Sequence, residues 1–260
     1  MQVHILTSTV SDNYFYLIES AGDGLLIDPI DAPVAVEAVR GLGLDRVRIL
    51  ATHGHPDHIG GNAAVVDALG CEVLAPSHGS TFTIEHDHAV SDGDTVTVGD
   101  TDWRVHHLPG HTDDHVVLHH GEHLISGDVV FVAGAGHCRF GGDPCELYTT
   151  FHQRMADLPD ALTFYPGHDY AARNASWILS VDPGNAAAAA LQGAASKRSR
   201  ADGPWLHTLG AERAMNPFFR VGDRDLRQTL AATGILDLVT PSDDPAETAF
   251  RALRAHRDRF

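Results

Sequence analysis

The sequence predicts an α/β body followed by a small helical region, with the boundary near residue 170. Three observations carry this. Short apolar runs bounded by turn residues alternate with helix-like segments as far as Tyr165. Beyond His168 the strand signals stop and helical patterns take over. The charge also divides there: residues 1–170 hold 25 acidic and 6 basic side chains, residues 171–260 hold 10 and 12, within a net charge of −17.

Taken in order, Val3–Leu6, Tyr14–Ile18 and Leu25–Ile27 read as strands, the last two joined by a Gly-rich turn at residues 20–24. Pro33 opens a helix to Leu42, because proline at the first turn gives up no needed hydrogen bond. Val47–Ala51 reads as a buried strand, followed by a polar loop, Thr52–Asp57, and a helix to Leu69. Glu72–Ala75 is a strand, and Thr95–Val98, Trp103–Leu108, Val116–Leu118 and Leu124–Ser126 form a meander. Pro144 opens a helix to Asp157, and Leu162–Tyr165 is the last strand of the body. The tail reads as helices at Ala171–Val181, Ala186–Ser199, Asp225–Ala232 and Ala246–Ala255.

Composition excludes several classes. At 260 residues and 43% hydrophobic the chain supports a sizeable core. No apolar run is long enough to span a membrane. Met1–Ile5 enters a strand directly, without a basic segment and apolar stretch, so no leader is expected. Three cysteines, Cys71, Cys138 and Cys145, with no CxxC pair, fit a reduced cytoplasmic protein. The acidic body argues against nucleic acid, which calls for a basic face. A monomer acting on a small molecule, with no membrane partner, is the expectation.

Seventeen of the 19 histidines lie in residues 1–170, so spacing must select the few that carry chemistry. The segment Thr52-His53-Gly54-His55-Pro56-Asp57-His58 sits where a buried strand ends and a helix begins. His53 and His55, two apart in an extended segment, point the same way. Asp57 and His58 follow where the backbone turns. One loop therefore offers two imidazoles to one metal, and a carboxylate plus an imidazole to a second. Such ligands suit zinc, iron and manganese. Three more candidates each follow an apolar strand and a glycine: His111 in Pro109-Gly110-His111-Thr112, Asp128 in Ser126-Gly127-Asp128, and His168 in Tyr165-Pro166-Gly167-His168. Any one alone is an ordinary loop residue; together with the first cluster they form a pattern.

HxHxDH followed by GH, GD and GH in that order resembles the metallo-β-lactamase superfamily, and within it the glyoxalase II (hydroxyacylglutathione hydrolase) family. Asp12-Asn13-Tyr14 and Ile27-Asp28-Pro29 extend the likeness toward the start of the chain, and Asn216-Pro217-Phe218-Phe219-Arg220 and the closing residues 254–260 extend it through the tail. The metal motifs specify the superfamily, and the tail points to the family. The resemblance implies an αββα sandwich over residues 1–170 and a helical substrate-binding domain over 171–260. It implies two divalent ions, with zinc expected and iron or manganese as alternatives. His53, His55 and His111 would hold the first, Asp57, His58 and His168 the second, and Asp128 would bridge them. Asp57 and Asp128 are thus the catalytic carboxylates. A hydroxide shared by the two ions would attack the thioester carbonyl of an S-(2-hydroxyacyl)glutathione such as S-lactoylglutathione.

The chain departs from the family pattern in two places. Gly54 stands where a further, non-ligating histidine is frequent, and residues 134–142 fit the substrate loop poorly, leaving its basic role to Arg139 or His137. Tyr170 matches a glutathione-contacting tyrosine. Arg254 and Arg257, three apart on a helix, share a face and are expected to hold the anionic carrier. The cysteines and the remaining histidines, among them His86, His88, His119 and His120, are assigned no role. Two rival readings remain: a mono-iron persulfide dioxygenase of similar fold, and a metallo-hydrolase for another thiol carrier.

Overall fold

A computed structural model describes residues 1–79 and 81–260. The strands are β1 (Gln2–Thr7), β2 (Tyr14–Ser20), β3 (Asp23–Ile27), β4 (Arg46–Leu50), β5 (Glu72–Pro76), β6 (His88–Val90), β7 (Thr95–Val98), β8 (Thr101–His107), β9 (Val116–His120), β10 (His123–Gly127), the short pair β11 (Val130–Phe131) and β12 (Gly134–Ala135), β13 (Thr163–Pro166) and β14 (His207–Thr208). Two six-stranded sheets result, ordered β1-β2-β3-β4-β5-β6 and β14-β13-β10-β9-β8-β7. The helices are α1 (Ala32–Leu42), α2 (Pro56–Ile59), α3 (Asn62–Leu69), α4 (Pro144–Thr149), α5 (Ala171–Val181), α6 (Ala186–Ala195), α7 (Leu209–Met215), α8 (Arg224–Ala232) and α9 (Pro245–Arg257).

Side-chain alternation explains the layers. In β2, Tyr14, Tyr16 and Ile18 point between the sheets, where they meet Leu50, Trp103, Val105 and Ile125. Phe15 and Leu17, from the same strand, face outward and pack with Ala35 and Val39 of α1 and Val65 of α3. Burial on both faces is why this strand reads as a continuous apolar run. The second sheet behaves likewise: Val116 and Leu118 face inward, while Val117, Leu124 and Phe164 join Trp177, Phe218 and Phe250 of the C-terminal region in a third cluster. The order is helix, sheet, sheet, helix. The tail does not stand apart, since β14 pairs with β13 and the third cluster draws on both parts of the chain.

Several expectations need correction. The helix expected to run to Leu69 is two, α2 and α3, because Gly60-Gly61 separates them and a Cβ on Gly61 would lie 2.0 Å from the Pro29 carbonyl oxygen. The Pro144 helix ends at Thr149 and continues as a wider π-type turn over Thr150–Arg154. The alanine-rich helix stops at Ala195. The strands β6, β11, β12 and β14 and helix α7 are too short to carry a periodic signal.

Candidate metal centre

All seven candidate ligands converge where the strands end. His53 and His55 lie just past β4, and His58 lies in α2. His111 lies between β8 and β9, Asp128 follows β10, and His168 follows β13. The donor atoms of His53, His55 and His111 lie within 4.8 Å of one another, and so do those of Asp57, His58 and His168. Between the two triads sits Asp128. One carboxylate oxygen is 3.5 Å from His58 Nε2; the other is 3.5 Å from His168 Nε2 and 3.7 Å from His111 Nε2.

The hydrogen bonds fix which ring nitrogen faces inward. His53 Nδ1 lies 2.9 Å from Thr52 Oγ1, whose hydroxyl donates to Asp28 Oδ2 at 2.6 Å. His58 Nδ1 lies 2.9 Å from the same Asp28 oxygen. His111 Nδ1 faces the His137 carbonyl at 2.7 Å, and His55 Nε2 faces the Phe140 carbonyl at 3.0 Å. His168 Nδ1 lies 3.2 Å from Asp12 Oδ1. Each imidazole thus has an oxygen against its outward nitrogen and turns the other nitrogen inward, which is the arrangement of metal-binding histidines. The inward nitrogens of His53 and His111 stand 3.1 and 3.0 Å from His55 Nδ1, lone pair against lone pair, a geometry suited to a cation between them.

The electrostatics agree. Burial holds His53 and His111 well below the ordinary imidazole range, so both are neutral, the ligating form. Burial works against charge on Asp128, yet His168 and His58 hold its carboxyl well below the usual range. Burial likewise opposes charge on His58, but Asp128 and Asp28 push it up to about 10. His168 is raised in the same way by Asp128, Asp12 and Asp57. The second triad therefore favours positive charge, which a divalent cation supplies. The donor set fits such an ion.

Three residues at the centre were not assigned roles from sequence. Asp28 has a left-handed backbone, φ 51°, strained for a non-glycine residue, and its carboxylate accepts from the Thr52 N–H as well as serving the two histidines. Asn13 points its amide nitrogen at Asp57, His58 and His168, 3.2–3.4 Å away. His115, one of the histidines without an expected role, is fully buried and accepts a hydrogen bond from the Asp128 N–H. Gly127 has φ 50°, and a Cβ there would strike His115, so this glycine is required on both counts. The two Asp-containing triplets held a faint signal; His115 held none.

Over the cluster lies a cavity of about 700 Å³, walled by Phe82, Phe131, Phe140 and Tyr170 among others. It adjoins a second of about 210 Å³ that gathers Arg139, Arg173, Arg254 and Arg257. Phe131, His137 and Tyr170 line both. The four residues expected to bind substrate, Arg139, Tyr170, Arg254 and Arg257, are therefore brought together, and His137 stands between the two cavities. Tyr170 stacks on His168 at 5.2 Å. Arg254 and Arg257 share a cavity, but Arg254 is buried, donating to the Ala135 and Gly136 carbonyls and paired with Asp258 at 2.8 Å. Arg257 donates to Asn174 Oδ1, and burial, then Arg173 and Arg254, pulls its guanidinium down to about 10. Arg139 is exposed and held against Asp258. Among the described residues no cysteine is disulfide-bonded, and none lines the cavity over the cluster.

Residues 9–168 match the Metallo-beta-lactamase superfamily, and residues 169–260 the Hydroxyacylglutathione hydrolase C-terminus. A Hydroxyacylglutathione hydrolase of Anaeromyxobacter dehalogenans is 40% identical over 95% of this chain and 96% of its own length. The crystal structure of ETHE1 from Myxococcus xanthus superposes with a TM-score of 0.64 at 25% identity, covering 98% of this chain and 99% of that one. TTHA1623, solved in a di-iron-bound form, gives 0.59 at 26% identity, covering 82% and 98%. The cluster is a divalent-metal site of this superfamily. No helix among the described residues is long and apolar enough to cross a membrane.

Proposed function

The chain belongs to the hydroxyacylglutathione hydrolase family of the metallo-beta-lactamase superfamily, and from that premise we propose the reaction and the roles of its residues. The enzyme hydrolyses the thioester of an S-(2-hydroxyacyl)glutathione, releasing a 2-hydroxy acid and the free thiol. S-Lactoylglutathione is the representative substrate. The observation that carries this reading is Asp128, its carboxylate shared between two triads beside an arginine-lined cavity.

His53, His55 and His111 would hold one divalent ion, Asp57, His58 and His168 would hold a second, and Asp128 would serve both; zinc is the ion this donor set suits, and iron and manganese fit it too. Ions so held supply Lewis acidity and lower the pKa of water toward neutrality. The rest falls to the chain. Asp28, through Thr52, His53 and His58, fixes the ring orientations before substrate arrives. The arginine pocket of residues 171–260 and the substrate loop receives the carboxylates of glutathione, so the remote end of the substrate places the carbonyl over the cluster. Tyr170, flat on His168, closes that side. His137 and Arg139 divide the loop's work: His137 at the boundary between the cavities, Arg139 in the carrier pocket.

The test is a thioester assay on S-lactoylglutathione with metal analysis of the same preparation. Turnover with about two ions per chain supports the reading. One iron per chain, and oxygen consumption with a persulfide in place of thioester hydrolysis, would transfer the site to dioxygenase chemistry.

A further inference from the structure

The family assignment leaves open which acyl group the enzyme prefers. The cavity over the cluster has two ends. One opens into the arginine pocket through Phe131, His137 and Tyr170. The other lies among Pro56, Thr81, Phe82, Phe140 and Gly141, which line the cavity but not the arginine pocket. If the carrier lies among the arginines, as proposed above, the acyl group must face this second end.

That end is built around Phe82, whose seat depends on two glycines from different loops. A Cβ on Gly54 would lie 2.2 Å from Phe82 Cβ and 2.9 Å from its Cγ. A Cβ on Gly141 would lie 3.0 Å from the Phe82 ring and 2.7 Å from Thr81. The space beside Gly54 is filled by the Phe82 side chain. Phe82 meets the ligand His55 edge to face, centroids 5.0 Å apart at 82°. The Phe140 ring has its centroid 5.5 Å from that of His137 and 6.4 Å from that of His55, yet the residue stays 62% exposed. An apolar group between these rings would cover surface now facing water.

We propose that Phe82 and Phe140 form an acyl-group wall that makes the enzyme selective for 2-hydroxyacyl groups carrying a bulky apolar or aromatic substituent. A lactoyl group, with only a methyl, leaves the wall uncovered. A mandeloyl group places a phenyl ring against it.

The experiment compares kcat/KM for S-mandeloylglutathione and S-lactoylglutathione in the wild type, Phe82→Ala, Phe82→Leu and Phe140→Ala, with metal content measured for each. The wild-type ratio should favour mandeloyl; Phe82→Ala should lower it about tenfold and Phe82→Leu less, the scale expected for an aromatic contact on the substrate. The same ratio is taken with N-acetylcysteamine thioesters, and mandelate and lactate are compared as ligands by calorimetry. Mandelate should bind the wild type more tightly than lactate, and Phe82→Ala should erase the difference. A ratio unmoved by Phe82→Ala at full metal content overturns the wall, as does equal binding of the two acids to the wild type. If glutathione esters fail while cysteamine esters are hydrolysed, the carrier assignment falls and the ratio still judges the wall. If no thioester is hydrolysed, the proposed function falls and the binding comparison decides alone.

Discussion

The backbone N–H of Asp128 donates to Nε2 of His115 at 3.0 Å, and that imidazole lies stacked on His53, centroids 4.8 Å apart. The carboxylate that lies between the two triads is thus held through its main chain by a ring wedged behind His53. His115→Phe keeps the ring and removes the acceptor, leaving a buried N–H unpaired at a cost of about 1–3 kcal/mol. Metal content and kcat should both fall while KM changes little. Full metal content with normal kcat would show that the bond is idle.

Asp128 itself should be indispensable. Asp128→Ala removes the group that both triads share, so turnover should drop by on the order of a thousandfold and metal content should fall with it. Cys138→Ala should stay near wild type, because burial pushes that thiol up to about 12 and the reaction needs no thiolate. An inactive cysteine variant beside an active Asp128→Ala would reverse the assignment.

The legible part of this site was the part that repeats. His53, His55, Asp57 and His58 follow one another in a motif, and His111, Asp128 and His168 each follow a strand and a glycine. The strands were legible because β2 and β9 are buried on both faces. What stayed hidden acts across the fold. Asp28 reaches His58 from 30 positions away, and Phe82 matters because Gly54 leaves it room. From sequence Arg254 reads as a carrier contact on the face it shares with Arg257, but that face meets the 135–136 turn, and its guanidinium donates to both carbonyls there. No periodicity reports such pairings.

Acid should destabilise the fold through its neutral histidines. His152 stands 2.9 Å from the Phe218 carbonyl; burial keeps its imidazole below the ordinary value despite that bond, and burial does the same to His106 and His107. The folded pKa is depressed, so the unfolded chain takes up the proton first, near pH 6.5. The contribution is present above that pH and is lost as pH falls toward the folded value, at up to about 1.4 kcal/mol per unit for each group. Tm should fall between pH 7.5 and 5.5, and His152→Gln, which keeps a donor for Phe218, should make the slope shallower. An unchanged slope would remove His152 from the account.

Arg254 and Arg257 should separate cleanly, although they share a helix face. Arg254 is buried and holds the Ala135–Gly136 turn beside β12, so Arg254→Ala leaves two carbonyls without their donor and Asp258 with Arg139 alone. Its expected signature is a lower Tm, with activity falling on every thioester. Arg257 is only half-buried; it gives two hydrogen bonds, both to Asn174 Oδ1, and lies over the Phe260 ring, in a pocket where Arg139, Arg173 and Arg254 crowd like charges together. Such a pocket favours an anion. Arg257→Ala should therefore raise KM for S-lactoylglutathione about tenfold, the loss of one charge-assisted hydrogen bond, with Tm and metal content near wild type. An N-acetylcysteamine thioester, which lacks the carrier carboxylates, should not register the change. Salt should raise KM for glutathione esters in the wild type more than in Arg257→Ala, because screening acts on the charge that was removed. If Arg257→Ala instead weakens both substrates alike, the pocket is a structural element of the tail, and glutathione is recognised elsewhere.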